Sequence, residues 1–141
     1  MFSYRYPRPS LTADVLLFDT QCREVLLIRR RNDPFKGCWA LPGGFFDFDD
    51  PTIEATAHRE LREETGIGGI KLNEFCTASR VGRDPRGRTV SVVFVGFACK
   101  DSVSPQGSDD ASEAQWFAVD ALPPLAFDHA EILQKAINRF M

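Results

Sequence analysis

Apolar residues gather along this chain in runs short enough for strands, broken by polar turns, with two stretches of helical period. LTADVLLFD and EVLLIRR flank a polar DTQCR and predict a hairpin near the N-terminus. WALPGG follows, its paired glycines opening backbone geometry closed to other residues. A helix of about four turns comes next, with Asp50 at its N-cap, Pro51 in its first position and Gly66 just past its end. Residues 70–79 and 89–99 predict two further strands; VSVVFVGFAC in the second is apolar on both faces and so belongs inside a sheet. AQWFAV predicts a short strand. DHAEILQKAINRFM predicts a closing helix with Ile132, Leu133, Ala136, Ile137 and Phe140 in one apolar stripe. Asp128 and Glu131 stand at capping-box spacing at its start. Strands mixed with two principal helices predict an α/β (α+β) sandwich. With no repeat and no linker-like stretch, the prediction is one domain over residues 1–141.

Composition narrows the classes. At 141 residues the chain can bury a real core, and a net charge of −3 offers no broad basic footprint for nucleic acid. No apolar run approaches the roughly 20 residues of a membrane span, and MFSYRYPRPS lacks the apolar core of a signal peptide. Neither nucleic acid nor a membrane is therefore an expected partner. Cys22, Cys38, Cys76 and Cys99 form no C-x-x-C pair, and Cys76 and Cys99 fall in apolar runs where a cysteine is usually a small core residue. The expectation is a reducing, cytoplasmic setting without structural zinc.

The charge pattern of the first helix is unusual. In HRELREETG, Glu60, Glu63 and Glu64 stand at i, i+3 and i+4 and share one side of a helix. Like charges at these spacings repel by roughly 0.2–0.5 kcal/mol per pair, and a helix C-terminus already bears partial negative charge. Taking Ala57 as reference, Ile53, Leu61, Glu60 and Glu64 all fall within about 60° of it, so two glutamates border the packing face. A half-buried carboxylate must be protonated, paired with arginine or bound to metal. Arg59 and Arg62 are too few for three acids on one wall, whereas a hard divalent cation such as Mg²⁺ takes carboxylates together with substrate phosphate. A solvated acidic helix end is the plain alternative. The apolar face beside the acids and the glycine pair before the helix favour the metal.

Gly44, Arg59-Glu60-Leu61, Glu63-Glu64 and Gly66-Ile67 together resemble the Nudix box, G-x5-E-x7-R-E-U-x-E-E-x-G-U with U aliphatic. RELREETGI matches at every specified position, but the spacing from Gly44 to Arg59 is one residue too long, which makes Asp50 the substitute for the first box glutamate. The resemblance implies a Nudix-type α/β/α sandwich with a central mixed sheet. It also implies that Glu60 and Glu64 hold divalent cations (Mg²⁺ or Mn²⁺), with Glu63 and the Gly43 carbonyl as further ligands. Arg59 would orient the glutamates, and one glutamate or a later acid would deprotonate the attacking water.

RRRNDPFKGCWALPGG, GRDPRGR and LAFDHAEI resemble the bacterial ADP-ribose pyrophosphatase branch of that family, a pattern shared with the sensor domains of its transcription-factor relatives. The implied activity is hydrolysis of ADP-ribose to AMP and ribose 5-phosphate. Sanitation of oxidised dGTP-type nucleotides and non-catalytic sensing of ADP-ribose are the alternatives. Those relatives carry a winged helix after the domain; this chain stops at Met141, so none is expected. Arg30, Arg83 and Arg86 are the guanidinium candidates for substrate phosphate, although RVGRDPRGR also reads as a solvated basic loop. Glu113 is a candidate to complete catalysis and Asp110 to contact substrate, unless both are surface charges. His129 either faces substrate or merely belongs to a helix start, while His58 reads as helix surface. Phe35, Trp39 and Phe45 are stacking candidates for a base, against plain core packing. Tyr4 and Tyr6 ahead of PRP suggest an arm reaching a second subunit of a homodimer.

Overall fold

The computed structural model describes residues 2–103, 105 and 111–141. Strands β1 (Ser10–Asp19) and β2 (Glu24–Arg30) form the expected antiparallel hairpin, closed by Asp19, whose Oδ1 accepts the Gln21 and Cys22 N–H groups. The two strands pair with each other only at Phe18–Val25 and Asp19–Glu24. Beyond that they splay, and WALPGG fills the gap: β3 (Trp39–Ala40) pairs with β2, and β4 (Gly43–Phe45) pairs with β1. Strands of two and three residues leave no periodic signal, so the sequence reading contained neither.

After helix α1 (Ile53–Thr65), β5 (Asn73–Ala78) and β6 (Thr89–Phe97) follow. Strand β6 runs parallel to β1 on one side and antiparallel to β5 on the other, the inner position its two-sided apolar pattern predicts. Strand β7 (Ala111–Ala118) pairs with β2, and α2 (His129–Phe140) closes the chain. The sheet is mixed, with one helix on each face. Ala13, Val15 and Leu17 pack with Ala57 and Leu61 of α1, while Leu16 and Phe18 pack with Ile132, Leu133 and Ala136 of α2. The result is an α/β/α sandwich assembled by strict alternation along β1.

Three local expectations are corrected. The N-cap of α1 is Thr52, whose Oγ1 accepts the Ala55 N–H at 3.1 Å, and not Asp50. Asp50 is drawn away because Arg59 binds both its oxygens. Asp128 occupies the N-cap of α2 without capping it, since Arg83 takes both carboxylate oxygens, and Glu131 pairs with Arg80 instead of completing a box. Strand β6 ends at Phe97, leaving Cys99 exposed beyond it, while Cys76 is half-buried in β5. No helix among the described residues is long and apolar enough to cross a membrane.

Candidate active site

Where β1 and β2 part, a cleft of about 500 Å³ opens. Its acidic wall comes from α1, its floor from β1 and β4, and its basic rim from the end of β2 and the 80–88 loop. Helix α1 ends cleanly because Gly66 adopts φ 77°, a conformation that costs glycine little. Glu64 in the last turn is buried and Oε1 accepts the Gly43 N–H at 2.7 Å. Glu60, one turn earlier, is half-buried, and Glu63 is turned outward.

Arg59 binds this wall together. Its Nη1 donates to Glu60 at 2.8 Å and to Glu63 at 3.1 Å, and its Nη2 donates to the Phe45 carbonyl. Its Nε and Nη2 also fork onto Asp50, which accepts the Thr56 hydroxyl as well. The Arg59 hydrogen bonds hold the Asp50 carboxyl well below the usual carboxylate range, and the same contacts raise the guanidinium further above its own. The acid standing in for the first box glutamate thus anchors the arginine through a shorter side chain.

Glycine is required twice here. A Cβ on Gly44 would fall on the Glu60 carboxylate, whereas one on Gly43 would strike the Ala13 carbonyl and Asp14. The two positions are therefore expected to fail differently. Gly44→Ala should keep its melting temperature and lose turnover, because a flexible side-chain end can move aside. Gly43→Ala should lose stability, because backbone cannot. Thermal melts beside initial rates separate these outcomes, and equal losses in both variants would sink the distinction.

On the basic side, Arg86 forks onto buried Asp84 at 3.1 and 2.8 Å, and its guanidinium lies 5.2 Å from the Phe45 ring centroid. Burial disfavours ionisation of Asp84, but the Arg86 contacts outweigh it and hold the carboxyl below its ordinary value. Arg30 donates Nε to the Pro34 carbonyl and lies 5.0 Å from the Phe127 centroid, its pKa lowered by burial and by nearby Arg86. Two guanidinium groups near one ring favour an anion between or beside them. Arg83 is buried, bidentate on Asp128 at 3.0 and 2.7 Å, and pins the 80–88 loop to α2.

Glu60, Glu64, Arg59, Gly43, Arg30, Arg83, Arg86 and His129 all line the cleft. Glu63 does not, and Glu113 sits on β7 opposite Arg29, paired with it at 3.0 Å away from the lining residues. Asp110 lies outside the described residues. His129 is buried: its Nδ1 accepts the Leu41 N–H at 3.1 Å, which puts the ring proton on Nε2, 3.7 Å from Asp14. Phe35 packs edge-on against Phe127 while staying partly exposed, Trp39 packs against Phe117, and Phe45 lines the cleft as an exposed ring beside exposed Phe46. Asp14, Thr12 and Asp84 escaped the sequence reading. Asp14 had left a signal, an acid inside the apolar run of LTADVLLFD.

The carboxylate wall fits a hard divalent cation in donor type: the single guanidinium of Arg59 binds three carboxylates, Asp50, Glu60 and Glu63, beside a backbone glycine pair. Among the described residues no three acidic, histidine or cysteine side chains converge on a single point. The carboxylates accept from the Arg59 guanidinium and, at Glu64, from the Gly43 N–H.

A mixed sheet between two helices, with an arginine-clamped glutamate wall over a glycine pair where the sheet splits, defines a Nudix-type hydrolase scaffold. Residues 8–136 match the NUDIX domain, and the chain belongs to that family. It is 39% identical over 129 residues to an ADP-ribose pyrophosphatase of Methanocaldococcus jannaschii, covering 92% of this chain and 73% of that protein. It is 41% identical over 140 residues to the ADPR responsive transcriptional repressor NtrR of Acinetobacter baylyi, covering 95% of this chain but only 55% of the repressor. The NUDIX domain of Shewanella oneidensis NrtR, solved in complex with ADP ribose, superposes with a TM-score of 0.89 at 33% identity, over 96% of this chain and 91% of that one.

Proposed function

We propose that this protein is a divalent-cation-dependent hydrolase of ADP-ribose, releasing AMP and ribose 5-phosphate. The observation that carries the reading is the glutamate wall of α1 facing Arg30 and Arg86 across one cleft. A cation with its phosphate would suit the first side, and guanidinium suits phosphate oxygens on the second. Identity to the archaeal pyrophosphatase supports the substrate. Glu60 and Glu64 would hold Mg²⁺ or Mn²⁺, with the Gly43 carbonyl as a further ligand; Glu63, exposed and outside the cleft lining, would join them only by turning inward from Arg59. Bound there, the cation would supply charge neutralisation for the phosphate and would make nearby water more acidic. Arg59 fixes the glutamates in place, Arg30 and Arg86 orient the diphosphate, and a wall glutamate takes the proton from the attacking water. One P–O bond of the diphosphate bridge breaks, the new P–O bond comes from water, and the bridging oxygen leaves with the other phosphate. Glu113 would take part only by moving away from Arg29.

The repressor relatives favour a second reading, in which the domain binds ADP-ribose without turnover. Incubation with ADP-ribose and Mg²⁺ or Mn²⁺ should release AMP and ribose 5-phosphate in equal amounts. Tight binding by calorimetry with no AMP would replace the enzyme reading with the sensor. We also assign the exposed arm carrying Phe2, Tyr4 and Tyr6 to a homodimer contact, supported by its apolar exposure.

A further inference from the structure

Asp14 is an acid that neither Arg59 nor the arginine loop hydrogen-bonds. It stands in the middle of β1, in register with Gly43 of β4 and Val93 of β6. Only 7% exposed, it nevertheless lines the cleft. One oxygen, Oδ2, accepts the hydroxyl of buried Ser91 and faces His129 Nε2. The other, Oδ1, lies against Gly43 and takes no hydrogen bond among the described residues. Burial disfavours its charge, but His129, Ser91 and Arg83 together outweigh that and hold the carboxyl below its ordinary value. Trp116 Nε1 is the one side-chain atom among the described residues that is buried without a partner, so Asp14 Oδ1, undonated, keeps access to the cleft. Such a group accepts from something that enters the cleft.

Three occupants can be weighed. Phosphate is repelled by a carboxylate. The cation belongs on the other face of the sheet: Asp14 shares the parity of Leu16, which packs on α2, whereas the glutamates project from α1, which packs on Ala13 and Val15. A nucleobase needs a flat face, and the rings among the lining residues (Phe45, Phe46 and Phe127) are accompanied on the rim by the Arg86 guanidinium. The floor around Asp14 instead offers buried Thr12 and Thr89. Hydroxyl donors remain. We propose that Asp14 accepts the hydroxyls of a ribose and so selects nucleoside diphosphates that carry an intact sugar diol. Ser91 and His129 are positioning residues that hold the carboxylate toward the cleft. This rests on the diphosphate-hydrolase reading above.

The test compares wild type with Asp14→Asn on ADP-ribose and on two analogues, one lacking the diol of the terminal ribose and one that of the adenosine ribose. Hydrogen bonds to a charged group are worth about a 10- to 100-fold change in affinity. Wild type should lose that factor in kcat/KM on one analogue. Asp14→Asn should lose it on ADP-ribose and nothing further on that same analogue. Ser91→Ala, which keeps the charge, should show the same selectivity with a smaller loss, and serves should Asp14→Asn misfold. Equal penalties on all three substrates would make Asp14 a structural partner of His129 and overturn the proposal. If wild type releases no AMP, the hydrolase reading fails by itself, and the same comparison made on binding by calorimetry still decides the hydroxyl contact.

Discussion

Glu64→Gln should retain the fold and lower turnover of ADP-ribose by at least about 100-fold, because residues that merely support metal ligands already cost 10–100-fold. The fold should survive because an amide oxygen can still accept the Gly43 N–H that Glu64 Oε1 now accepts. Neighbouring repulsion also falls: Glu60 and Glu63 stand one turn and one residue away on the same helix. In EDTA, the melting temperature of the variant should therefore equal or exceed that of the wild type. Added Mg²⁺ should raise it less, since stabilisation by a ligand scales with affinity for the native state. Rates and melts with and without metal give both readouts. Unchanged turnover, or an undiminished Mg²⁺ shift, would remove Glu64 from the site.

What could be read in advance followed periodicity and local chemistry. The α1 stripe, the inner position of β6 and the α2 stripe all express apolar spacing, and RELREETGI marks its helix through residues within two turns of one another. What escaped depends on partners far along the chain. Asp50-Pro51 looks like a helix start, yet Asp50 answers to Arg59 and Thr52 caps instead. Asp128 and Glu131 look like a capping box until Arg83 and Arg80 arrive from a loop 45 and 51 residues earlier. The splay of β1 from β2 is a property of pairing, and no window of sequence contains it. Its consequence is the cleft itself. Even so, Asp14 marked the floor in plain view: an acid placed by alternation on a buried face needs a reason.

Arg59 should prove the most consequential residue that touches neither water nor phosphate in this reading. Replacing it by lysine keeps the charge but loses the fork, which reaches Asp50, Glu60, Glu63 and the Phe45 carbonyl at once. A lysine ammonium can satisfy one or two of these partners, so the glutamates should lose their fixed orientation. By analogy with other ligand-orienting groups, kcat should fall by about 10–100-fold, with KM changed far less because Arg30 and Arg86 remain. Arg59→Met should do the same and also lower stability, by leaving the Asp50 carboxylate with its Thr56 and Asp47 donors but no counter-charge. That stability loss carries a pH signature. In the wild type the native Asp50 pKa is depressed, so its contribution is fully present above the unfolded value, near 3.9, and is lost as pH falls toward the native one. The methionine variant loses the share of that depression that Arg59 supplies, the largest, and keeps the share from Asp47 and Thr56. The gap in melting temperature between the two proteins should therefore be full at neutral pH and narrow as pH falls below about 4, where the variant's Asp50 takes up its proton before that of the wild type. A gap independent of pH would mean that Arg59 stabilises by packing, and that the acid in the first box position does not answer to it.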